Sequence, residues 1–480
     1  MMSLLSLDSS AHYIKFGYQR WLLIVIILGL SLLTVNGLAT CCAILFLVLA
    51  AKMLFRQNEP PLLFLAIFFQ WLQVTVKLFY ADFYGLPFES VFRFPDHIYE
   101  AYYLSLLGLL ALSAGIWLIM RNVPVARRPE IAACVEEIDT KKIAVAYVIA
   151  IMAMPVLMKF GQYSGGLQQF VQKFSHLKWS LFFLFFLSTF LKNERKRAFY
   201  FIAAIELLLA FTGFFSSFKD YFMVLGIGYL MVHQKVSIKQ MLWMGILCVI
   251  LFNFFVVWQH VKMEYRAFLT RGEKTQSIKV GKLEALDKLS GLVARMDTAG
   301  YRDGVNRLIE RTSYIDFFSA SISYVPRYHA HENGKLWWAG ISHVLTPRIL
   351  FPGKESIDDS QVAMRYTGLK FATAAEGASI SLGYMGETYV DFGPQNMILP
   401  LLIFGMAVGL IYRYFLAHSQ NILWGYALLL PLFFQLNVFE QALIKLIGGT
   451  IAYFVVFFIL KKLGFLRFLY KKVTITRFEV

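Results

Sequence analysis

The chain has 480 residues, of which 58% are hydrophobic and 17% aromatic, with a mean hydropathy of +0.59 and a formal net charge of +16. One water-soluble core could not bury this much apolar surface, so the composition excludes an ordinary soluble globular protein and indicates an integral membrane protein. We attribute much of the positive charge to membrane topology and attraction to anionic lipid, not to nucleic-acid binding.

About twelve apolar segments approach the roughly 20 residues that a helix needs to cross a bilayer. In chain order they are residues 21–35, 38–54, 62–76, 102–120, 143–158, 180–191, 199–215, 221–232, 241–258, 397–412, 422–434 and 442–460. Their apolar runs are continuous and lack the alternation of a barrel strand. We therefore predict an all-α polytopic membrane protein with about twelve transmembrane helices, the first of them an uncleaved anchor.

Basic residues fall mainly in alternate loops, including "RNVPVARRPEI", "KNERKR" and the tail "KKLGFLRFLYKK". Cytoplasmic loops carry an excess of Lys and Arg, so this pattern predicts that both termini are cytoplasmic. Three regions follow. Residues 1–260 form about nine membrane helices, residues 261–394 form one large external loop with amphipathic helices, and residues 395–480 form about three more helices and a basic cytoplasmic tail.

The first half of the external loop has a helical period. In "KLEALDKLSGLVARM" the apolar residues recur at three- and four-residue steps, which predicts an amphipathic helix that packs on the spans or the membrane surface. The stretch "VNRLIERTSYIDFFSASISYVPRY" continues this period and puts Arg307 and Arg311 on one face. Pro326 then ends the helix and leaves Arg327 on a turn. The alternative for these arginines is a solvated basic face.

Further charged residues lie at the two ends of this loop and between them. "VVWQHVKMEYR" brings Arg266 just past the ninth span, and "TPRILFPGKES" holds Arg348 and Lys354 in a stiff segment between and after prolines. "GYMGETYVDFGP" places Glu387 between glycines, shortly before the next span. The loop carries 17 Lys and Arg against 15 Asp and Glu, so these cations are placed among acids and do not belong to a uniformly basic surface.

In this order, "VKMEYR", an arginine-bearing helix, "PRILFPGKES" and "GETYVDFGP" resemble the large periplasmic loop of the Wzy-type O-antigen and oligosaccharide repeat-unit polymerases of bacteria. The resemblance covers chiefly residues 258–394 and the span count. It implies a GT-C-like glycosyltransferase of the cytoplasmic (inner) membrane that uses an undecaprenyl-pyrophosphate-linked glycan as both donor and acceptor. It further implies a chain-length regulator protein as a partner, a role in lipopolysaccharide or exopolysaccharide synthesis, and no cofactor.

The same resemblance suggests roles for individual residues. Guanidinium groups stabilise the charge that grows on a pyrophosphate leaving group through paired hydrogen bonds. Our candidates for this role are Arg266, Arg311 and Arg348, followed by Arg307, Arg327 and Lys354. The acceptor hydroxyl needs a general base, for which Glu387 is the first choice, with His343 and Asp316 behind it. The loop has no Asp-x-Asp motif, so we expect a metal-independent reaction with no metal site.

Several residues carry alternative interpretations. Within the spans, Glu206 is an unusual ionisable group, for which we expect a hydrogen-bonded packing role and not catalysis. Glu440 and Lys445, near the turn between the last two spans, either pair with each other or line a catalytic cavity. The adjacent Asp358 and Asp359 are typical of a solvated turn and not of a metal site. The two tryptophans of "WWAGISHVLTPR" either anchor the loop at the membrane interface or stack on sugar rings.

Other protein classes share parts of this pattern. An O-antigen ligase uses the same donor but transfers it to lipid A core. A lipid-linked glycan transporter also has about twelve spans, but the sequence lacks the two-fold repeat and interrupted helices of that class. A non-enzymatic partner of an exopolysaccharide synthase is a third alternative. The chain has a single long loop, which lies on the external side, and this asymmetry favours catalysis outside the membrane.

Overall fold

The computed structural model describes residues 18–163, 168–211, 218–233, 238–273, 278–346, 351, 353–354, 357–372, 379–419, 421–464 and 469. Across these ranges the chain is all-helical and has no strand, as the sequence predicts. The helices are α1 (Tyr18–Ser31), α2 (Gly37–Leu54), α3 (Leu62–Tyr84), α4 (Ile98–Met120), α5 (Arg128–Glu137), α6 (Thr140–Tyr163), α7 (Gln168–Lys192), α8 (Lys196–Phe211), α9 (Phe218–Val232), α10 (Ile238–Leu269), α11 (Lys282–Ala294), α12 (Thr298–Thr312), α13 (Ile315–Tyr324), α14 (Lys335–Leu345), α15 (Asp359–Thr367), α16 (Gly383–Asn396), α17 (Ile398–His418), α18 (Ile422–Leu436) and α19 (Leu443–Lys462).

Eight of the described helices are long and apolar enough to cross a membrane. They comprise Gly37–Leu54, Leu62–Tyr84, Ile98–Met120, Thr140–Met158, Phe174–Lys192, Leu242–Leu269, Ile398–His418 and Leu443–Lys462. Each of the twelve predicted apolar segments overlaps a helix of the described residues, but α1, α8, α9 and α18 are shorter than the eight long helices. The helices are compatible with a multi-pass membrane protein, and the number twelve stays a prediction.

Helices α4 and α17 make the closest contact of two spans. A Cβ atom added at Gly115 would lie 2.1 Å from the Leu402 carbonyl oxygen, and one added at Gly405 would lie 2.1 Å from the Leu112 carbonyl oxygen. These glycines let the two backbones touch, which is how small residues stabilise helix pairs in lipid. The α4–α17 pair therefore forms a rigid centre, on which α13 and α16 also pack.

The segment between α10 and α17 covers one end of the helix bundle, which we call the capped end. Its first helix, α11, packs on the end of α10 through Tyr265, Leu269, Ala285 and Leu292. α12 begins against α10, where a Cβ at Gly304 would lie 2.5 Å from the Val256 carbonyl oxygen. The predicted amphipathic helices therefore pack directly on the membrane helices.

Two helices of the capped end are largely buried. On α13, Ile315, Phe318 and Ile322 are at most 5% exposed, and Tyr389 and Val390 of α16 are similarly covered. Backbone amides that enter such an apolar site must be hydrogen-bonded within the protein, and a helix provides this. The buried position of α13 and α16 fixes the polar side chains that they carry.

Candidate functional site

Arg311 and Glu440 form a two-point ion pair at the capped end. Arg311 lies in the last turn of α12, and Glu440 lies in the connection between α18 and α19. Nη1 donates to Oε2 and Nη2 donates to Oε1, each at 2.8 Å. These hydrogen bonds and the carboxylate charge raise the pKa of Arg311 above its ordinary value. The Arg311 side chain is 56% exposed.

Two cations of α10 lie beside this pair. Arg266 is close enough to Arg311 for their charges to repel, and Lys262 lies within electrostatic range of both arginines and of Glu440. The positive charge of Lys219, at the start of α9, also acts on Lys262. We call Lys219, Lys262, Arg266, Arg311 and Glu440 the cationic cluster. Its excess of positive charge suits a doubly charged anion such as pyrophosphate.

Glu387 lies in the second turn of α16 and is held at the start of α19. Its Oε2 accepts a hydrogen bond of 2.9 Å from the Leu443 backbone N–H. Burial raises the pKa of Glu387 to about 7, with a further rise from Asp359 and Asp391 and an opposing effect of the Leu443 amide and Lys445. A carboxyl group with a pKa near neutrality can take and release a proton at physiological pH.

A second ion pair lies next to Glu387. Asp359, at the start of α15, is buried, and its Oδ2 contacts the Lys445 ammonium of α19. Lys445 also donates to Ser379 Oγ at 3.0 Å. Glu440 and Lys445 therefore have separate partners, and the prediction that they pair with each other is wrong. The prediction of a solvated turn is also wrong for Asp359, whereas Asp358 caps α15 by accepting from the Ser360 N–H at 3.0 Å.

Asp391 fixes α14 beside Glu387. Asp391 is fully buried, and its two carboxylate oxygens accept the backbone N–H groups of Leu336 at 3.0 Å and Trp337 at 2.8 Å. A carboxylate in this position accepts hydrogen bonds from backbone N–H groups that have no partner within the helix. Its negative charge also interacts favourably with the positive end of the helix dipole. The Trp337 indole N–H then donates to Thr388 Oγ1 at 3.0 Å, next to Glu387. Trp337 is thus hydrogen-bonded to the residue that follows Glu387 on α16.

Lys354 and His343 lie at the opposite end of α14. The Lys354 ammonium donates to the backbone carbonyl oxygens of His343 and of Thr346, the latter at 2.8 Å. A lysine at this position complements the negative end of the helix dipole. The structure thus gives Lys354 a helix-capping contact, and it gives the His343 side chain a half-buried position.

Two other predicted arginines, Arg307 and Arg327, have contacts of their own. Arg307 pairs with Asp303, four residues earlier on α12, at 2.7 Å. Arg327 is exposed and lies over the Tyr328 ring, 5.4 Å from its centroid. Arg348 lies outside the described residues. The structure therefore brings Arg266 and Arg311 together, and these two become the principal arginine candidates.

Asp316 is buried and bound to a lysine of a membrane helix. Lys77, on α3 and 1% exposed, contacts Asp316 Oδ2 at 3.0 Å and Glu310 Oε1 at 3.0 Å. Burial raises the pKa of Asp316, and the Lys77 charge opposes this rise. We therefore assign Asp316 to the attachment of α13 on α3 and not to proton transfer. Lys77 is not among the site residues predicted from the sequence, although a lysine within an apolar span is itself a signal of a buried partner.

An apolar cavity of about 380 Å³ reaches the first turn of α19, the helix whose first backbone amide binds Glu387. It lies among α3, α17, α18 and α19, and Trp337 of α14 forms part of its wall. Ile403 and Ile451 also line the cavity and are 53% and 41% exposed on the outside of the helix bundle. The cavity is therefore open on the apolar surface that a membrane would cover. Its other end meets Leu436 and Leu446, on either side of the connection that carries Glu440.

Glu206 has the packing role that the sequence suggested. It is 2% exposed and accepts hydrogen bonds from the Lys178 ammonium at 2.7 Å and the Tyr147 hydroxyl at 2.8 Å. The Lys178–Glu206 pair joins α7 to α8, and the hydrogen bond from Tyr147 joins α6 to α8. Among the described residues, no group of three or more His, Cys, Asp and Glu side chains could hold a metal ion.

Comparison with known proteins identifies a family but no function. The family described as "Domain of unknown function (DUF8712)" matches residues 39–468. No curated protein and no solved structure matches the chain. Because the matched region covers most of its length, the chain belongs to the DUF8712 family.

Proposed function

We propose that this member of the DUF8712 family is a glycosyltransferase that joins polyprenyl-pyrophosphate-linked oligosaccharide units at the outer face of the bacterial cytoplasmic membrane. The capped end faces outward in this proposal, and both termini are cytoplasmic. The reaction is metal-independent. Membrane lipid, the lipid-linked donor and acceptor, and a chain-length regulator are the proposed partners.

One observation carries the proposal: an apolar cavity open on the outside of the bundle reaches the end of α18 and the first turn of α19, whose connection carries Glu440 and whose first amide binds Glu387. Trp337 lines the cavity and is hydrogen-bonded to Thr388, the neighbour of Glu387. The connection at the same end carries Glu440, the partner of Arg311. An amphiphile with a long apolar chain and an anionic head matches both parts of this site, since each part has the polarity of the group it would contact.

The side chains suit a displacement at the anomeric carbon. Glu387 takes the proton of the acceptor hydroxyl, whose oxygen forms a bond to the anomeric carbon of the donor. The bond from that carbon to the phosphate oxygen breaks, and the lipid pyrophosphate leaves with the electron pair. Arg311 and Arg266 stabilise its negative charge through charge-assisted hydrogen bonds. For this step Arg311 must turn from Glu440 toward the phosphate or contact both.

The test is deletion of the gene in its host, followed by complementation and sizing of the surface glycan. The wild-type gene restores the polymer ladder. Glu387→Gln, at matched membrane abundance, leaves single repeat units and no ladder. The matched control is Glu284→Gln, an exposed carboxylate of α11, which restores the ladder.

The same experiment distinguishes the O-antigen ligase alternative. A ligase defect removes both the ladder and the single repeat from the lipid A core, because every attached glycan depends on that transfer. An unchanged ladder in the deletion strain contradicts both glycosyl-transfer functions.

A further inference from the structure

Helix α14 runs beside the first turns of the membrane helix α19. A Cβ atom added at Gly340 would lie 3.7 Å from Ile444 Cβ, and one added at Gly448 would lie 3.3 Å from Val344 Cγ2. Between these two contacts, α14 and α19 each advance by four residues in the same direction. α14 therefore extends alongside α19 and does not cross over its end.

The length of α19 sets the depth of this contact. Leu443–Lys462 has 20 residues, or about 30 Å at 1.5 Å per residue, which equals the thickness of the hydrocarbon layer. Gly448 is five residues from the start of α19, at a depth of about 7.5 Å. Val344, which touches it, lies at the same level. The end of α14 therefore reaches below the plane at which α19 enters the membrane.

The outward face of α14 is apolar at this level. Trp338 is 68% exposed and Leu345 is 65% exposed, while Trp337, about 100° away around the helix axis, lines the cavity. Lys335, at the beginning of the helix, is also exposed. The exposed residues thus change from a cation through an indole to an alkyl chain along the helix. This order matches the sequence of water, headgroups and acyl chains met on entering a bilayer.

The side-chain hydroxyl groups at the end of α14 donate to the backbone of the same helix. Ser342 Oγ donates to the Ala339 carbonyl oxygen at 3.2 Å, and Thr346 Oγ1 donates to the carbonyl oxygens of Ser342 and His343 at 3.1 Å each. The ammonium of Lys354 contacts the terminal carbonyls. These internal hydrogen bonds lower the cost of placing this helix end in an apolar medium.

We propose that α14 is a half-inserted helix whose Trp338 and Leu345 face contacts the acyl chains of the membrane leaflet at the capped end. The occupant of this face is lipid, because the helix on the other side of α14 is itself a membrane span at the same depth. α14 then stands between lipid and the apolar cavity, with Trp338 toward lipid and Trp337 toward the cavity. This inference does not depend on the proposed reaction.

Site-directed spin labelling of the full chain in liposomes tests the depth of α14. The four native cysteines are replaced by serine, and single labels are attached through Lys335→Cys, Ala339→Cys and Leu345→Cys. Collision rates with oxygen, which concentrates in lipid, and with a water-soluble nickel chelate are then measured. Asn306→Cys, exposed on α12, is the aqueous control, and Ile451→Cys, exposed on the span α19, is the lipid control.

We expect the ratio of oxygen to nickel collisions to rise from residue 335 through 339 to 345, where it approaches the value at residue 451. A ratio at 345 equal to that at 306 would overturn the proposal, because the face would then be in water. Low collision rates with both agents at 345 would also overturn it, because protein would then cover the face. No result depends on glycan synthesis, so the failure of one proposal leaves the other standing.

Discussion

The Glu387 carboxylate accepts the backbone N–H of Leu443 at 2.9 Å, which ties α16 to the first turn of α19. The pKa of Glu387 is raised to about 7, chiefly by burial. A general base acts in its deprotonated form, so activity should rise with pH through 7 and be about tenfold below its plateau at pH 6. The rate of glycan elongation in membrane vesicles, measured from pH 5.5 to 8.5, checks this expectation.

The ion pair beside Glu387 predicts opposite shifts of that pH profile. Lys445 lowers the pKa of Glu387 and Asp359 raises it. Lys445→Met should therefore move the rise in activity to higher pH, and Asp359→Asn should move it to lower pH. A purely structural role of this pair would reduce the plateau without moving the midpoint. Shifts of both variants in one direction would contradict the assignment of Glu387 as the base.

The rate of elongation should depend on the planar guanidinium group of Arg311 and not only on its charge. Arg311→Lys loses the two-point geometry, and Arg311→Ala loses the charge as well. We expect both to lower the rate of elongation by about 100- to 1000-fold, which is the usual effect of removing one donor from a developing anion. Radiolabelled polymer formed per minute, at matched protein abundance, is the measurement.

Arg307→Lys is the matched control for this series. Arg307 precedes Arg311 by one helical turn, is similarly exposed and pairs within its own helix. We expect a change of less than about threefold, because exposed ion pairs contribute little. Equal losses at positions 307 and 311 would indicate that α12 acts as a structural unit and that Arg311 does not contact the substrate directly.

The Lys77–Asp316 pair should contribute to stability. Lys77→Met leaves the buried Asp316 carboxylate without its ammonium partner, which costs about 3–5 kcal/mol in comparable sites. The thermal unfolding midpoint in detergent should fall clearly below that of the wild type. The double variant Lys77→Met, Asp316→Leu should recover most of the loss, since no buried charge remains. A double variant as unstable as the single one would argue against this role.

The proposed topology predicts which loops an impermeant reagent reaches. In a chain freed of its native cysteines, Asn306→Cys on α12 should react with a membrane-impermeant maleimide in intact spheroplasts. Glu194→Cys, exposed between α7 and α8, should react only after lysis. The opposite pattern would invert the orientation and place the cationic cluster in the cytoplasm.

The amino-acid sequence was sufficient to predict the class of this protein and where its helices lie. Apolar length and helical period are local properties, so α11 and α17 could be recognised from short windows of sequence. Sequence spacing also identifies neighbours on one helix, and Arg307 has such a partner in Asp303, four residues away. Two of the arginines predicted from the sequence, Arg266 and Arg311, lie within electrostatic range of each other in the structure.

The partners of the buried and clustered charges were decided by the tertiary structure alone. Glu440 lies 129 residues from Arg311, and Asp316 lies 239 residues from Lys77. Asp391 binds the first turn of α14, more than 50 residues earlier in the chain. A hydrogen bond acts over about 3 Å, and which side chains come within that distance depends on how the helices pack. Sequence periodicity specifies the face of one helix, but only packing against other helices selects what that face meets.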